Sequence, residues 1–185
     1  MIYPIVIYGD PVLKKQAEPI KKGEPGLDEL IRDMYETMEN AHGIGLAAPQ
    51  IGKPVRLFVV DASALDDENV KNFKQVFINP EILDEGDEEW KYEEGCLSIP
   101  GIKEDVFRPK VINLKYQDEN FQPHTEKFDG IKARIIQHEY DHLEGVLFTE
   151  HLSAFKKSLL RGKLKDISQG KLEAKYPVKV FHKKK

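Results

Sequence analysis

Residues 129–145 read DGIKARIIQHEYDHLEG. Asp129 is a residue type that opens helices and Gly145 one that closes them, so a helix is expected from Asp129 to about Glu144. Ile131, Ile135, His138 and His142 recur at three- and four-residue steps and share one face of it. Two histidines therefore stand where core residues belong. One turn of helix separates them by about 6 Å of rise, close enough for both imidazoles to grip a single metal ion. Glu139 follows the first of them, so its carboxylate can reach a water on that ion without being a ligand. The competing reading is a pair of packed core histidines with an exposed glutamate between them.

Two imidazoles do not complete a catalytic site; a third protein ligand is needed, with one position left open. The long metalloprotease signature would set a third histidine at position 148, which here is Phe148. Another protease pattern takes a glutamate about 20 residues or more downstream, where only Glu173 is found, in a basic segment. His151 lies near the helix exit. Cys96 lies far upstream, and a thiolate suits zinc or ferrous iron. A lone cysteine is commonly just a small buried side chain, so these residues alone leave the third ligand open.

Working outward, residues 27–42 carry Leu27, Leu30, Ile31, Met34, Tyr35 and Met38 at helical spacing, and Gly43 stops that helix. A glycine-rich loop, Gly43-Ile44-Gly45-Leu46-Ala47-Ala48-Pro49-Gln50, follows. Its small residues allow close approach of backbone, and Gln50 adds an amide donor. Residues 56–60 and 76–78 read as strands, with Pro80 placing the second at an edge or a bulge. Residues 61–72 form a polar, acidic loop, and whether 61–75 moves over a site is not legible. Residues 110–117 alternate, with Ile112, Leu114 and Tyr116 on one face, and 124–128 return beside them. A last helix runs from about Ser153 to Lys165. Strands come mainly before the second helix and pair by short links, which argues for α+β rather than a repeated βαβ sheet. The expected architecture is antiparallel or mixed sheets around the His-Glu-x-x-His helix, with one helix N-terminal and one C-terminal to it. Residues 1–165 should be one catalytic domain and 166–185 a basic, flexible extension.

Composition bounds the function. The 185 residues are 40 % hydrophobic and 32 % charged, which excludes a disordered chain. No apolar run approaches the roughly 20 residues of a membrane span. The N-terminal residues lack the pattern of a secretory leader, and the single cysteine permits no intrachain disulfide, so a reducing cytoplasm is expected. The net charge of −4 conceals a division: residues 152–185 carry a net +9 and the rest −13. A basic end of that kind can meet a polyanion, although a solvated helix face would have the same composition.

The glycine-rich loop, the segment Glu94-Gly95-Cys96-Leu97-Ser98 and His138-Glu139-Tyr140-Asp141-His142 together resemble the peptide deformylases. That family's three motifs occur here intact and in order, and Gly9-Asp10-Pro11-Val12-Leu13 and Arg161-Gly162-Lys163 resemble it too. The resemblance implies that Cys96, His138 and His142 bind the metal. It implies Glu139 as general base and then acid, with Gln50 and the Leu97 N–H holding the developing oxyanion. Gly45 would bind substrate through its backbone, and Ile44, Leu46 and Ile135 would line a methionine pocket. The implied cofactor is one divalent ion, Fe2+ in the cell, with Zn2+, Ni2+ or Co2+ accepted. The implied reaction removes the N-formyl group from the N-terminal formylmethionine of nascent polypeptides and releases formate. A monomer is expected, with ribosome contact through the basic C-terminal helix and no membrane partner.

Four further expectations concern the surroundings. Glu94 and Arg108 should form an ion pair that braces the cysteine loop, and Asp141 should orient a ligand histidine. Arg134 should reach the pocket rim, and Trp90 should serve packing. Two rival readings are a protease with a histidine or glutamate third ligand, and a non-catalytic metal-stabilised module that docks on a polyanion.

Overall fold

The computed structural model describes residues 1–182. In chain order it forms β1 (Ile5–Val6), α1 (Leu27–Asn40), β2 (Gly45–Ala47), β3 (Leu57–Asp61), β4 (Lys74–Glu85), β5 (Glu89–Cys96), β6 (Ile99–Pro109), β7 (Val111–Gln117), β8 (Pro123–Asp129), α2 (Gly130–Leu143), α3 (Ala154–Ser168) and β9 (Val178–Lys179).

Leu57, Phe58, Val59 and Val60 are apolar without alternation, and such a strand needs cover on both faces. β3 has it. It is second in an antiparallel sheet of order β2-β3-β4-β7-β8. Phe58 and Val60 face the α2 side, where they pack with Phe77, Leu114, Ile135 and Ile136. Leu57 and Val59 face the α1 side and pack with Ile31, Met34 and Met38. The apolar stripes of the two helices thus clamp one sheet. Each fully buried side chain of this size contributes about 1.5–3 kcal/mol relative to exposure.

Pro80 sits in the interior of the sheet, and of the two expected settings it takes the bulge. The register of β4 against β7 shifts between Ile78 and Glu81, and Arg56 Nη2 donates to the Pro80 carbonyl at 2.8 Å. Residues 62–73 are an anchored connection: Ala62, Val70 and Phe73 are buried in the α2-side core.

β5 and β6 form a long antiparallel hairpin, joined only by Leu97 and Ser98. Its inner face packs Ile99, Ile102 and Val106 with Leu160, Leu164 and Ile167 of α3 in a third core cluster. The expected boundary at residue 165 therefore falls inside a helix, because Ile167 is still a core residue. Beyond it, Val178–Lys179 pairs in parallel with Ile5–Val6. Parallel pairing at such sequence separation leaves no local signature, so this pair was not anticipated. Residues 183–185 of the basic end lie outside the described residues.

α2 begins after Asp129, as expected, but the Asp129 side chain makes no capping hydrogen bond. The helix ends at Gly145, which has φ +72°. A Cβ there would lie 2.6 Å from the Lys14 carbonyl oxygen, so both conformation and space require glycine.

Candidate metal centre

β2 and α2 are in contact, and Gly45 is why. A Cβ built on Gly45 would stand 2.4 Å from Glu139 Oε1. Only glycine lets the strand backbone lie against that carboxylate. The same face of α2 turns His138 and His142 toward the end of the β5–β6 hairpin, where Cys96 waits. Cys96 Sγ is 3.3 Å from His142 Nε2. The imidazole planes cross at 77° with centroids 5.2 Å apart. One ligand atom from each of Cys96, His138 and His142 lies within 4.8 Å of the others. Three donors around one ion at zinc or iron bond lengths stand about 3–4 Å apart, so the trio needs little movement to close on one. The thiolate and two imidazoles form a donor set suited to zinc or ferrous iron.

Glu94 fixes one ring. Its Oε2 is 2.9 Å from His138 Nδ1, which leaves Nε2 as the donor toward an ion. Arg108 grips the same carboxylate in two places, at 2.7 and 3.0 Å. Arg134 adds a 2.7 Å bond and also donates to the carbonyls of Trp90 and Val106. The side chains of Glu94, Arg108 and Arg134 are all 4 % exposed or less. The expected brace between Glu94 and Arg108 is therefore present, and it reaches a histidine as well. Arg134 does line the cleft, though its side chain is largely buried, and its guanidinium lies 5.0 Å from the Trp90 ring centre. The expected link from Asp141 to a ligand histidine is absent. Asp141 faces the other side of α2 and pairs with Arg108 and His151, both at 2.7 Å. Glu94 holds the role that was expected of it.

The charges are arranged to keep sulfur ionised. Burial opposes charge on Cys96, but His142 and His138 outweigh it and hold the thiol down at about 5. Burial likewise opposes charge on His138, yet Cys96 and Glu94 raise it well above the ordinary histidine value. Burial, lowering its charge tolerance, is outweighed on Glu94 too, where His138 and Arg108 hold the carboxyl well below its usual range. Glu139 goes the other way: burial pushes it up to about 7. Its Oε2, like His142 Nδ1, is a buried polar atom without a protein partner. An unsatisfied carboxylate oxygen beside three ligand atoms fits a site completed by an ion and its water.

Gln50 closes the opposite side. Its Oε1 accepts the Ala47 N–H at 2.8 Å, which turns the amide group toward Ser98 Oγ at 3.2 Å and Cys96 Sγ at 3.6 Å. These residues open into a cleft of about 650 Å³ whose walls include Ile44, Leu97, Ile131, Ile135 and Tyr176. Leu46 is not among the walls. Strand alternation turns its fully buried side chain to the α1 side, into the core with Met38 and Val59. His151 and Phe148 stand outside the ligand cluster. Glu173 lines the cleft without joining it. No residue of 61–75 lines the cleft.

Comparison with known proteins points the same way. The profile of the polypeptide deformylase family matches residues 2–158. The chain is 56 % identical to a peptide deformylase of Cytophaga hutchinsonii over 184 residues, covering all of both chains. It is 52 % identical to one of Christiangramia forsetii, covering all of this chain and 99 % of the relative. Among solved structures, the Legionella pneumophila peptide deformylase superposes with a TM-score of 0.80 at 38 % identity, over 91 % of this chain and 96 % of that one. A Plasmodium falciparum peptide deformylase solved with an inhibitor gives 0.79 at 35 %, over 89 % and 99 %.

Proposed function

The chain belongs to the peptide deformylase family, and on that premise we propose how its own residues carry out this enzyme's reaction, the removal of the N-formyl group from nascent polypeptides. Cys96, His138 and His142 hold one divalent ion. When bound, the ion supplies Lewis acidity, lowering the pKa of a water and polarising the formyl oxygen. Glu139 takes the proton of the attacking water at the oxygen left unpartnered in its buried pocket. A carboxyl pushed up toward neutrality by burial is well matched to that transfer. Charge then grows on the formyl oxygen. The Gln50 amide and the Leu97 N–H donate to it, and one such donor is typically worth about 3 kcal/mol. Glu139 passes its proton to the departing amine, and formate leaves. Gly45 binds the peptide backbone, and Ile44 and Ile135 take the methionine side chain.

The observation that carries this reading is the meeting of Cys96, two helical histidines and a buried Glu139 at one end of an apolar cleft. The donor set and the family together favour Fe2+ in the cell, with Zn2+, Ni2+ or Co2+ as working substitutes. The test is formate release from formyl-Met-Ala-Ser by anaerobically prepared protein in its iron and zinc forms. Glu139→Gln should keep its ion and lose nearly all turnover; full turnover in that variant would refute the assignment. Cys96→Ser should lose ion and activity together, whereas retention of both would favour a third ligand of the protease type.

A cytoplasmic, monomeric enzyme that works on chains leaving the ribosome fits this reading. No helix among the described residues is long and apolar enough to cross a membrane. α3 exposes Phe155 and Leu159 among its basic residues, a face suited to ribosomal contact. Reversing the charges of Lys157, Arg161 and Lys163 should abolish co-sedimentation with ribosomes; unchanged co-sedimentation would remove α3 from that role. Light scattering of the purified protein checks the monomer.

A further inference from the structure

The family profile ends at residue 158, yet Glu173, Ala174, Lys175 and Tyr176 form part of the cleft wall. Within that later segment one side chain touches the reactive loop. The Tyr176 hydroxyl donates to the Leu97 carbonyl at 2.8 Å. Leu97 and Ser98 are the only residues between β5 and β6, so this connection is as short as a hairpin allows. The next carbonyl along, that of Ser98, accepts the Tyr8 N–H at 2.8 Å, and Ser98 Oγ is held by Gln50. Tyr176 itself is located from two sides. Its ring packs against the α1-side core, and the carbonyl of its neighbour Pro177 accepts the Ile5 N–H at 2.9 Å.

We propose that Tyr176 is a positioning residue for the deformylation step: by holding the Leu97 carbonyl it sets the direction of the Leu97 N–H toward the formyl oxygen. This inference rests on the reading of Leu97 as an oxyanion donor. An oxyanion donor acts through angle as well as distance, since hydrogen bonds weaken steeply once bent. The donor and the carbonyl of Leu97 sit on either side of one Cα, so fixing the carbonyl restricts the rotation that would swing the N–H away. With the phenol removed, that carbonyl turns to water, and the loop keeps only the Ser98 anchors. The loss falls on the transition state, where the oxyanion exists, rather than on substrate binding.

The experiment compares Tyr176→Phe and Gln50→Ala in the metal-loaded enzyme. Phenylalanine preserves the packing and removes only the hydroxyl. Tyr176→Phe should lower kcat about three- to tenfold while KM and metal content stay as in the wild type. Gln50→Ala should lower kcat more. If Gln50→Ala loses activity but Tyr176→Phe keeps wild-type kcat, the inference fails and the oxyanion reading stands. If both keep wild-type kcat, the oxyanion reading fails and takes the inference with it. A rise in KM alone, or a loss of metal, would make Tyr176 a mere wall of the cleft and would equally overturn the proposal.

Discussion

Glu94 stands 2.9 Å from His138 Nδ1 through one oxygen, while its other oxygen is 2.7 Å from both Arg108 and Arg134. One carboxylate thereby orients the His138 ring and pairs with two buried guanidinium groups, sharing Arg108 with Asp141. Removing it leaves Arg134 buried with no carboxylate partner, Arg108 with Asp141 alone, and a histidine free to turn. Glu94→Ala should cost about 3–5 kcal/mol of stability in denaturant unfolding. It should also weaken metal affinity about 10- to 100-fold in chelator competition. Asp141→Asn, on the far side of the helix, should leave metal affinity at the wild-type value.

Gly45 has no room for a methyl group, because a Cβ would press on the Glu139 carboxylate from 2.4 Å. In Gly45→Ala the carboxylate has to move by about the length that separates a productive base from an idle one. We expect kcat to fall about 100-fold with metal content unchanged. Steady-state kinetics beside metal analysis checks this, and an unchanged kcat would show that Glu139 has slack.

The thiol of Cys96, held down at about 5, exists as thiolate over the whole neutral range once the ion is stripped. Alkylation by iodoacetamide in the apoprotein should therefore run at a nearly constant rate between about pH 6 and 8. An ordinary thiol would slow about tenfold for each unit below its pKa. Adding Zn2+ should protect it. A steep fall in rate toward pH 6 would mean that the imidazoles do not stabilise the thiolate.

Glu139 has a folded-state pKa raised from 4.5 to about 7 by burial, with further contributions from its neighbours. A raised carboxyl contributes stability that is fully present below the unfolded value and is lost as pH climbs through the folded value. In metal-free protein the loss should develop between about pH 4.5 and 7 and level off above. The shift corresponds to about 3 kcal/mol at 1.36 kcal/mol per unit. Glu139→Gln, which carries no charge, should therefore be more stable than wild type at about pH 8 by that order, and equal to it near pH 4. Urea unfolding of the two apoproteins at both pH values decides the matter.

The helix that carries His138 and His142 was legible because its information is local: two histidines and a glutamate at helical spacing define a face wherever the helix lies. The α+β class was legible for the same reason, from periodicity and turn residues. What the sequence could not convey is which distant elements meet. Glu94 announced itself only as an acid two residues before the cysteine, and its grip on His138 depends on hairpin and helix packing 44 residues apart in sequence. Asp141 was nearer in sequence to both histidines, and proximity suggested the wrong carboxylate. Leu46 was misassigned because the strand it belongs to is three residues long, too short for alternation to be seen. Tyr176 offered no signal at all, since it acts through one hydroxyl on one carbonyl.

The seam between Ile5 and Val178 has a consequence for the order of assembly. A contact across so much chain carries the closure entropy of everything between its partners, and two residue pairs return little against it. The seam is expected to zip last and to part first on warming, well before the central sheet. Amide exchange at Ile5 and Ile7 should run ahead of exchange at Phe58 and Val59. Gentle heating should then yield molecules that still grip their ion while the entrance stands ajar, so that turnover declines at a temperature where the circular dichroism spectrum has not yet changed.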